Sequence, residues 1–142
     1  MSAHMITIVI RTLVMALACV AGESRAGGGV VVIGNPNLTS LDAPTLEKVY
    51  TGRIIEVNGV AVTPVNANSG SAVRNRFLQA YLNEDEDKYT AYWIVRRYIG
   101  KGAPPREISS SAAVINFVKS TPGAIGYIDE TDLQPGVNVL LK

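Results

Sequence analysis

The sequence predicts a single α/β domain in which helices flank a mostly parallel sheet. Stretches of β-branched and other apolar residues alternate along the chain with segments of helical periodicity, which is the pattern of strands joined by helical connections. The first strand candidate, residues 30–33 (VVVI), is a continuous apolar run, and such runs are typical of strands covered on both faces, as in parallel sheets. A chain of 142 residues is also of a usual length for one domain.

The first 26 residues have the layout of a secretory signal peptide. Arg11 precedes an apolar run at residues 12–22, and Ser24 and Ala26 supply the small side chains that precede a cleavage site. The apolar run is short for a permanent bilayer span. We therefore expect residues 1–26 to be removed and the protein to be periplasmic or secreted.

Two alternatives to a cleaved leader stay open at the N-terminus. The segment could remain as a membrane anchor, or the chain could begin at Met5. Lipidation at Cys19 is a weaker alternative, because Ala16 stands three residues before it, where a bacterial lipobox normally has Leu.

The predicted leader contains the only cysteine and the only histidine of the chain, Cys19 and His4. Without it the chain has no disulfide, no thiolate nucleophile and no zinc–thiolate site, and it lacks the commonest general base and metal ligand. The remaining basic and acidic residues are equal in number, which disfavours nucleic acid as a partner. We expect no metal, no cofactor and no catalytic residue.

The first predicted helix begins at Asp42 and ends at Gly52. Asp42 is a favourable N-cap, Pro44 suits the first helical turn, and glycine commonly ends a helix. The residues that share its apolar face are Leu46, Val49 and Tyr50.

A turn and a second strand follow. Residues 54–57 are extended in character, and the pair Asn58-Gly59 is a strong turn signal. Residues 61–66 (AVTPVN) predict a strand in which Pro64 indicates an edge or a bulge.

The next helix begins near Ser71 and is predicted to bury one face. Arg74 is placed on its polar face. The residues that recur at helical spacing, and are expected inside, are Val73, Phe77, Ala80 and Tyr81.

A third helix follows an acidic run at residues 84–87, which is predicted to be a solvated helix start. Residues 89–99 (YTAYWIVRRYI) are too apolar and aromatic for an exposed helix, so we expect most of them to pack inward, with Trp93 shielded from solvent. The stretch at residues 100–105 (GKGAPP) ends this helix.

The last part of the chain predicts one helix and two strands. Serines at 109–111 cap a helix at residues 112–119, which the TPG sequence at 121–123 ends. Strands are predicted at residues 124–129 (AIGYID) and 137–141 (VNVLL). The inward side chains of this helix are expected to be Val114, Ile115 and Val118.

Four stretches, in chain order, resemble motifs of the substrate-binding proteins of phosphate ABC transporters. They are LDAPTLEKVYTG at 41–52, VNANSGSAVRNRF at 65–77, GKGAPP at 100–105 and TPGAIGY at 121–127. In that family the first resembles L-x-x-I-F-x-G-K and the last resembles x-P-G-A-I-G-Y. The resemblance implies a type II periplasmic-binding-protein fold.

The same resemblance implies that one lobe is missing. A full-length family member holds its ligand between two lobes, and this chain matches the second lobe only. Residues 27–142 leave no room for the first lobe, and short single-lobe relatives with these motifs occur in the family. We therefore expect residues 27–142 to form a single lobe of the periplasmic-binding-protein fold.

Residues 69–74 have the chemistry of an anion site at a helix start. The first backbone N–H groups of a helix lack partners and point along a positive dipole. Gly70 allows close approach to the backbone, Ser69 and Ser71 can donate hydroxyl hydrogen bonds, and Arg74 can add a charge-assisted contact. Simple capping by Ser69 or Ser71 is an equally good interpretation of the same residues.

The family resemblance implies a weakened version of the phosphate site. The family loop reads G-S-G-T after an arginine, and Gly70 and Ser71 match its first half. Ala72 and Val73 stand where Gly and Thr belong, so a hydroxyl donor is lost. The resulting prediction is weak binding of phosphate or a similar oxyanion, and its residues are Ser69, Gly70, Ser71, Ala72, Val73 and Arg74.

Three function classes follow from these observations. The first is an exported binding domain connected with ABC-type phosphate transport. The second is a non-catalytic interaction or adaptor protein that has lost ligand binding. The third, an enzyme, is disfavoured, because the chain has no G-x-S-x-G elbow, no Walker loop and no histidine for a triad. The expected partners are an oxyanion and one of a transporter permease, another periplasmic protein or a second copy of the chain.

Overall fold

A computed structural model of the chain describes residues 29–142, and the predicted leader lies outside the described residues. The strands are Val30–Gly34 (β1), Glu56–Val57 (β2), Val60–Ala61 (β3), Thr63–Asn66 (β4), Arg106–Glu107 (β5), Ala124–Asp129 (β6) and Asn138–Leu141 (β7). The helices are Ala43–Tyr50 (α1), Ala72–Phe77 (α2), Glu86–Tyr98 (α3) and Ser111–Ser120 (α4). A π-helical turn, Leu78–Leu82, follows α2, and a 3-10 turn, Glu130–Asp132, follows β6.

The main sheet has five strands in the order β5-β4-β6-β1-β7. Strand β4 pairs in parallel with β5 and β6, whereas β1 pairs antiparallel with both β6 and β7. Four strands therefore run one way and β1 runs the other, which confirms the mostly parallel α/β fold. All five residues of β1 are buried. The apolar run correctly indicated a strand covered on both faces, but coverage does not fix strand direction.

Two apolar layers cover the two faces of the sheet. Along β1, Val30 and Val32 belong to the layer that contains α1, α2 and α3, whereas Val31 and Ile33 belong to the layer that contains α4. This alternation is the period of two expected for a strand. The first and second predicted helices thus lie on one face of the sheet and the last lies on the other.

Both α1 and α4 begin as their capping residues predict. The Thr45 amide donates to Asp42 Oδ1 at 2.8 Å, and the Ala113 amide donates to Ser110 Oγ at 3.1 Å. Each cap satisfies a backbone donor that the helix itself leaves free. The α4 side chains predicted to face inward, Val114, Ile115 and Val118, are buried.

The predicted strand at residues 61–66 is divided in two by the structure. Val60–Ala61 pairs back with β2 across the Asn58-Gly59 turn, and Thr63–Asn66 joins the main sheet. Pro64 pairs on the β6 side, and β5 pairs only with Val65 and Asn66, so Pro64 lies beyond the reach of β5. The proline therefore costs the sheet no hydrogen bond to β5.

One predicted inward residue of the second helix is wrong. Ala80 is exposed, whereas Leu78 and Leu82 are buried. The chain widens from an α-helix to a π-helical turn after Phe77, and this change rotates the following side chains relative to ordinary helical spacing.

The prediction that residues 89–99 pack inward is also wrong in the main. Tyr89 and Trp93 are buried, as expected for Trp93, but the exposed fractions are 63% for Ile94, 58% for Val95 and 91% for Tyr98. Helix α3 contacts the rest of the domain through one face, and nothing in residues 29–142 covers its opposite face. Its apolar composition therefore reflects two apolar faces rather than complete burial.

Candidate functional site

The loop between β4 and α2 carries the predicted anion site. Gly70 has φ of +80°, a left-handed conformation that favours glycine, and open space lies where a Cβ would project. Ser71 is the N-cap of α2: its Oγ accepts from the Arg74 amide at 3.4 Å, and its own amide donates to the Asn68 carbonyl at 3.0 Å. The Ser71 amide is therefore occupied within the loop.

A buried chain of hydrogen bonds holds this loop on the sheet. The Tyr127 hydroxyl donates to Asn66 Oδ1 at 3.0 Å and accepts from the Ala67 amide at 3.0 Å. Asn66 Nδ2 donates to the Tyr89 hydroxyl at 3.2 Å, and that hydroxyl donates to the Tyr50 carbonyl at 3.0 Å. The end of β4 is thereby tied to β6, α3 and α1 at once.

The three buried tyrosines around this loop, Tyr50, Tyr89 and Tyr127, are neutral at physiological pH. Burial raises the pKa of Tyr50, Tyr89 and Tyr127 above the ordinary value for tyrosine. Each hydroxyl therefore keeps the proton that it donates, and the network can satisfy its buried polar atoms.

Arg74 is buried, contrary to its predicted place on the polar face, with 6% of its surface exposed. Its guanidinium forms two contacts with Glu86, at 2.8 and 2.7 Å, one with Glu107 at 2.8 Å and one with the Ala67 carbonyl at 3.2 Å. Arg74 precedes the buried Phe77 by three residues, so the two side chains share one helix face. This spacing explains why Arg74 turns inward.

Ser69 lies on the same side of the loop as Arg74. Its hydroxyl donates to Glu86 Oε1 at 2.6 Å, and its amide donates to Glu107 Oε1 at 3.1 Å. Two carboxylates thus take up donors that the sequence assigned to an external anion. With one guanidinium between two carboxylates, the local charge is negative and repels another anion.

A cavity of about 260 Å³ opens beside this cluster, and we call it the charged cavity. Its residues come from the loop, α3 and the segment before β5. They include Ser69, Arg74, Tyr89, Trp93, Ile94, Arg97 and Glu107.

A second cavity, of about 110 Å³, lies on the other side of the loop, and we call it the hydroxyl cavity. A cavity needs about 10–15 Å³ to hold one water molecule, so this one has room for a small oxyanion. Its polar lining is neutral and lies where the N-termini of α2 and α4 meet. The residues that line it include Asn68, Ser71, Val73, Ser109, Ser110, Ser111 and Tyr127.

The hydroxyl cavity offers several hydrogen-bond donors. Ser71 and Ser110 use their oxygen atoms to accept helix-capping bonds, which leaves their hydroxyl protons free to donate. The backbone amides of Val73 and Ser111 have no hydrogen-bond partner within residues 29–142. The Ser111 hydroxyl is already used, because it donates to Asp132 Oδ2 at 2.7 Å.

The structure therefore separates the six predicted site residues. Ser71 and Val73 line the hydroxyl cavity, whereas Ser69 and Arg74 line the charged cavity. Gly70 forms the turn between them, and the exposed Ala72 lines neither.

Sequence reasoning assigned residues 109–111 to capping only and missed their place in the hydroxyl cavity. The sequence did contain a signal for this cavity, since two helix starts with serine caps occur in the same chain.

No His, Cys, Asp and Glu cluster suited to a metal ion occurs in the part of the chain that the structure describes. No helix within that part has the length and hydropathy to cross a bilayer.

Similarity to known proteins is found among solved structures. No model of a known protein family matches the chain, and no curated protein does. PstS from Borrelia burgdorferi superposes with a TM-score of 0.59 at 18% identity, over 80% of this chain and 46% of PstS. An ABC-type phosphate transport receptor from Vibrio cholerae superposes with a TM-score of 0.55 at 16% identity, over 79% of this chain and 45% of the receptor.

A third structure has the same relation to this chain. It is a protein from Clostridium perfringens, assigned as a phosphate ABC transporter substrate-binding protein and solved with bound phosphate. It superposes with a TM-score of 0.55 at 18% identity, over 79% of this chain and 44% of that protein. The chain spans less than half the length of each receptor. The periplasmic-binding-protein fold is thereby confirmed, and the covered share agrees with a single lobe.

Proposed function

We propose that the chain is an exported, single-lobe binding domain that takes phosphate or a similar oxyanion weakly into the hydroxyl cavity. The observation that carries this proposal is the meeting of two serine-capped helix starts around one neutral cavity. Helix N-termini and hydroxyl donors suit oxyanions. The fold shared with phosphate transport receptors supports a role in ABC-type phosphate transport, with residues 1–26 acting as a cleaved leader.

Weak affinity follows from the charge of the site. The hydroxyl cavity offers neutral donors, and the guanidinium of Arg74 is held by Glu86 and Glu107 on the other side of the loop. The cavity also opens to solvent, so salt screens the interaction. We expect a Kd on the order of 0.1–10 mM, which corresponds to roughly 3–5 kcal/mol of binding free energy.

A binding role, without catalysis, accounts best for the groups present. The donors of the hydroxyl cavity are hydroxyl and amide groups, and no general base lines it. A transporter permease or another periplasmic protein would then receive the ligand or sense it. The similar structures are named as transport receptors and substrate-binding proteins, which supports the same role.

A chemical-shift titration tests this proposal. Phosphate and, separately, sulfate are added to the purified protein at constant ionic strength, with chloride as the reference anion. We expect the amide shifts of Asn68, Val73 and Ser109 to Ser111 to move and saturate. An absence of saturable shifts around this cavity at tens of millimolar phosphate (an upper limit set by the weakest affinity expected) would contradict the proposal.

Two substitutions at Ser71 separate ligand binding from helix capping. Asp, Asn and Ser are about equally good N-caps, so Ser71→Asp and Ser71→Asn should both keep α2 intact. Ser71→Asp adds a negative charge at the cavity and should abolish phosphate binding, whereas the neutral Ser71→Asn should retain it. Equal binding by the two variants would place the anion elsewhere.

The interaction or adaptor role is the second candidate function. It is favoured by the internal pairing of Arg74, which is the one buried cation of residues 29–142 and is thereby withheld from any ligand, and by the exposed apolar face of α3. Exposed apolar side chains in this number mark contact surfaces in soluble proteins. If phosphate fails to bind, this role replaces the first.

A further inference from the structure

The exposed face of α3 has an apolar centre. Ala91, Ile94, Val95 and Tyr98 share this face, and we call these four residues the α3 stripe. Three of them are more than half exposed. The stripe lies opposite the buried Tyr89 and Trp93, so folding of the single chain gains nothing from it.

Opposite charges lie at the two ends of the stripe. Asp87 precedes it in the first turn of α3, and Lys101 follows it in the turn that closes the helix, where the Lys101 amide donates to the Arg96 carbonyl at 2.8 Å. Both side chains are exposed, and neither forms an ion pair within residues 29–142. Positions 87, 91, 94 and 98 follow the alternating three- and four-residue spacing of a helix–helix seam, and Lys101 lies beyond the end of the helix, after the left-handed Gly100.

The arrangement is self-complementary about Ile94. Asp87 and Lys101 are equally distant from Ile94 in sequence, one on each side. When two α3 helices are placed antiparallel around a twofold axis at Ile94, the acidic first turn of each copy, with Asp87, faces the basic end of the other, which Lys101 follows, and Ala91 lies opposite Arg97. A twofold interface requires this matching of one surface with itself.

We propose that α3 is a homodimer interface in which two copies of the chain pair antiparallel through the α3 stripe. The apolar centre supplies contact area, and two symmetric Asp87–Lys101 pairs set the direction and register. Helix α3 has 13 residues, about 20 Å of length at 1.5 Å per residue. One helix pair buries less than the ~800 Å² per partner of a standard interface, so the dimer is reversible, with a Kd in the micromolar range.

An anionic membrane is a poorer occupant of this surface. The acidic run at residues 84–87 adjoins the stripe, and its carboxylates would be repelled by anionic lipid headgroups. A surface with both signs of charge at opposite ends matches an inverted copy of itself instead. The proposal does not depend on oxyanion binding, because no residue of the stripe lines the hydroxyl cavity.

A charge exchange tests the dimer and its register. The protein, expressed as the full chain and purified as the cell produces it, is measured by sedimentation equilibrium over a range of concentrations. Asp87→Lys and Lys101→Asp each place like charges opposite one another and should weaken the dimer about tenfold, since like-charge juxtaposition costs several kcal/mol at most. The double variant restores opposite charges and should return the Kd to within about threefold of the parent.

Two further variants complete this test. Ile94→Glu places two carboxylates at the twofold axis and should give monomers at every concentration, whereas Lys119→Asp, on α4 far from the stripe in sequence, should leave the Kd unchanged. Circular dichroism verifies that each variant is folded.

The proposal is overturned if the parent protein stays monomeric at high concentration, or if the double variant stays as weak as the single ones. A monomer that co-sediments with vesicles of phosphatidylglycerol would assign the stripe to a membrane surface instead. Phosphate titration of the monomeric Ile94→Glu variant is independent of these results, because the hydroxyl cavity is unchanged in it.

Discussion

The two sides of the loop at residues 67–74 differ in what they leave for a ligand. On one side, Arg74 and Ser69 have their donors taken by Glu86 and Glu107. On the other side, Ser71 and its neighbours across the cavity keep hydroxyl protons and amides free. The two sides are separated by the single glycine turn at Gly70.

This difference teaches that a basic residue near a predicted anion site is not by itself evidence of a ligand. The most basic group of the loop is used inside the protein, where it joins α2, α3 and β5. The neutral side, with weaker donors, is the side that remains open. A chain can therefore retain the shape of an anion-binding loop while the basic side chain of that loop, here Arg74, stabilises the fold through internal ion pairs.

Alkaline pH should have the largest effect on the stability of the fold, because it acts on tyrosines at both the charged cavity and the hydroxyl cavity. Tyr89 lines the charged cavity and Tyr127 lines the hydroxyl cavity, and Asn66 joins them. Because burial raises the pKa of both tyrosines, the unfolded chain loses these protons first, near pH 10 as for free tyrosine. The stability is thus fully present below pH about 10 and is lost as the pH rises above it.

The measurement is a pH titration that follows circular dichroism and tyrosinate absorbance together. We expect the buried tyrosines to ionise in the same step in which the fold is lost. Ionisation of these tyrosines in a fully folded protein would show that the network is open to solvent.

Arg74→Ala should lower the free energy of unfolding by removing the ion pairs on the charged-cavity side of the loop, without changing the hydroxyl cavity. It leaves Glu86 and Glu107 without their cation and removes a buried side chain, and breaking a buried ion pair costs about 3 kcal/mol or more. Denaturant unfolding measures the loss. The control is Arg97→Ala, whose side chain is exposed and should cost less than ~0.5 kcal/mol. A similar small loss for both variants would mean that the Arg74 cluster is solvated.

Tyr127→Phe should weaken the connection between the two sides. The variant leaves the Ala67 amide and Asn66 Oδ1 without their partner, and a buried unsatisfied polar group costs about 1–3 kcal/mol. The control is Tyr81→Phe, because the Tyr81 hydroxyl makes one bond, to the Val30 carbonyl at 3.2 Å, at a half-buried position. Equal losses in unfolding free energy for both variants would contradict the role of the network.

Glu107→Gln should change the stability least of these variants, and it tests whether charge on one side of the loop affects phosphate binding on the other. The Glu107 side chain is 47% exposed, and the Arg74–Glu86 pair remains, so the stability should change by less than ~1 kcal/mol. Removal of one negative charge should raise phosphate affinity at the nearby hydroxyl cavity about twofold at low salt and not at high salt. A decrease in affinity would mean that Glu107 supports the anion site.

The fold could be predicted in large part because its signals are local. The Asp42 cap, the Asn58-Gly59 turn and the alternating strands each depend on a few neighbouring residues. Among the features that were not predicted are the antiparallel direction of β1, the short strand β5 and the π-helical turn. These depend on pairing with distant strands or on packing, and the local sequence does not record either.

The candidate site was predicted less well, because its electrostatics come from distant segments. Glu86 from α3 and Glu107 from β5 determine what Arg74 does, and neither is near it in sequence. The three-residue spacing from Arg74 to Phe77 was visible and would have placed the guanidinium inside. Residues 109–111 were recognised as a cap, but only the fold brings them next to Ser71.

The order of the strands has a consequence for how the chain acquires its structure. Among the strands of residues 29–142, β1 is synthesised first, yet it pairs there only with β6 and β7, the last two of them. The sheet centre therefore cannot close until nearly the whole chain is available, and contacts this distant in sequence make folding slow. The export proposed above would benefit from this delay, because a chain that crosses a membrane unfolded must not complete its sheet before translocation ends.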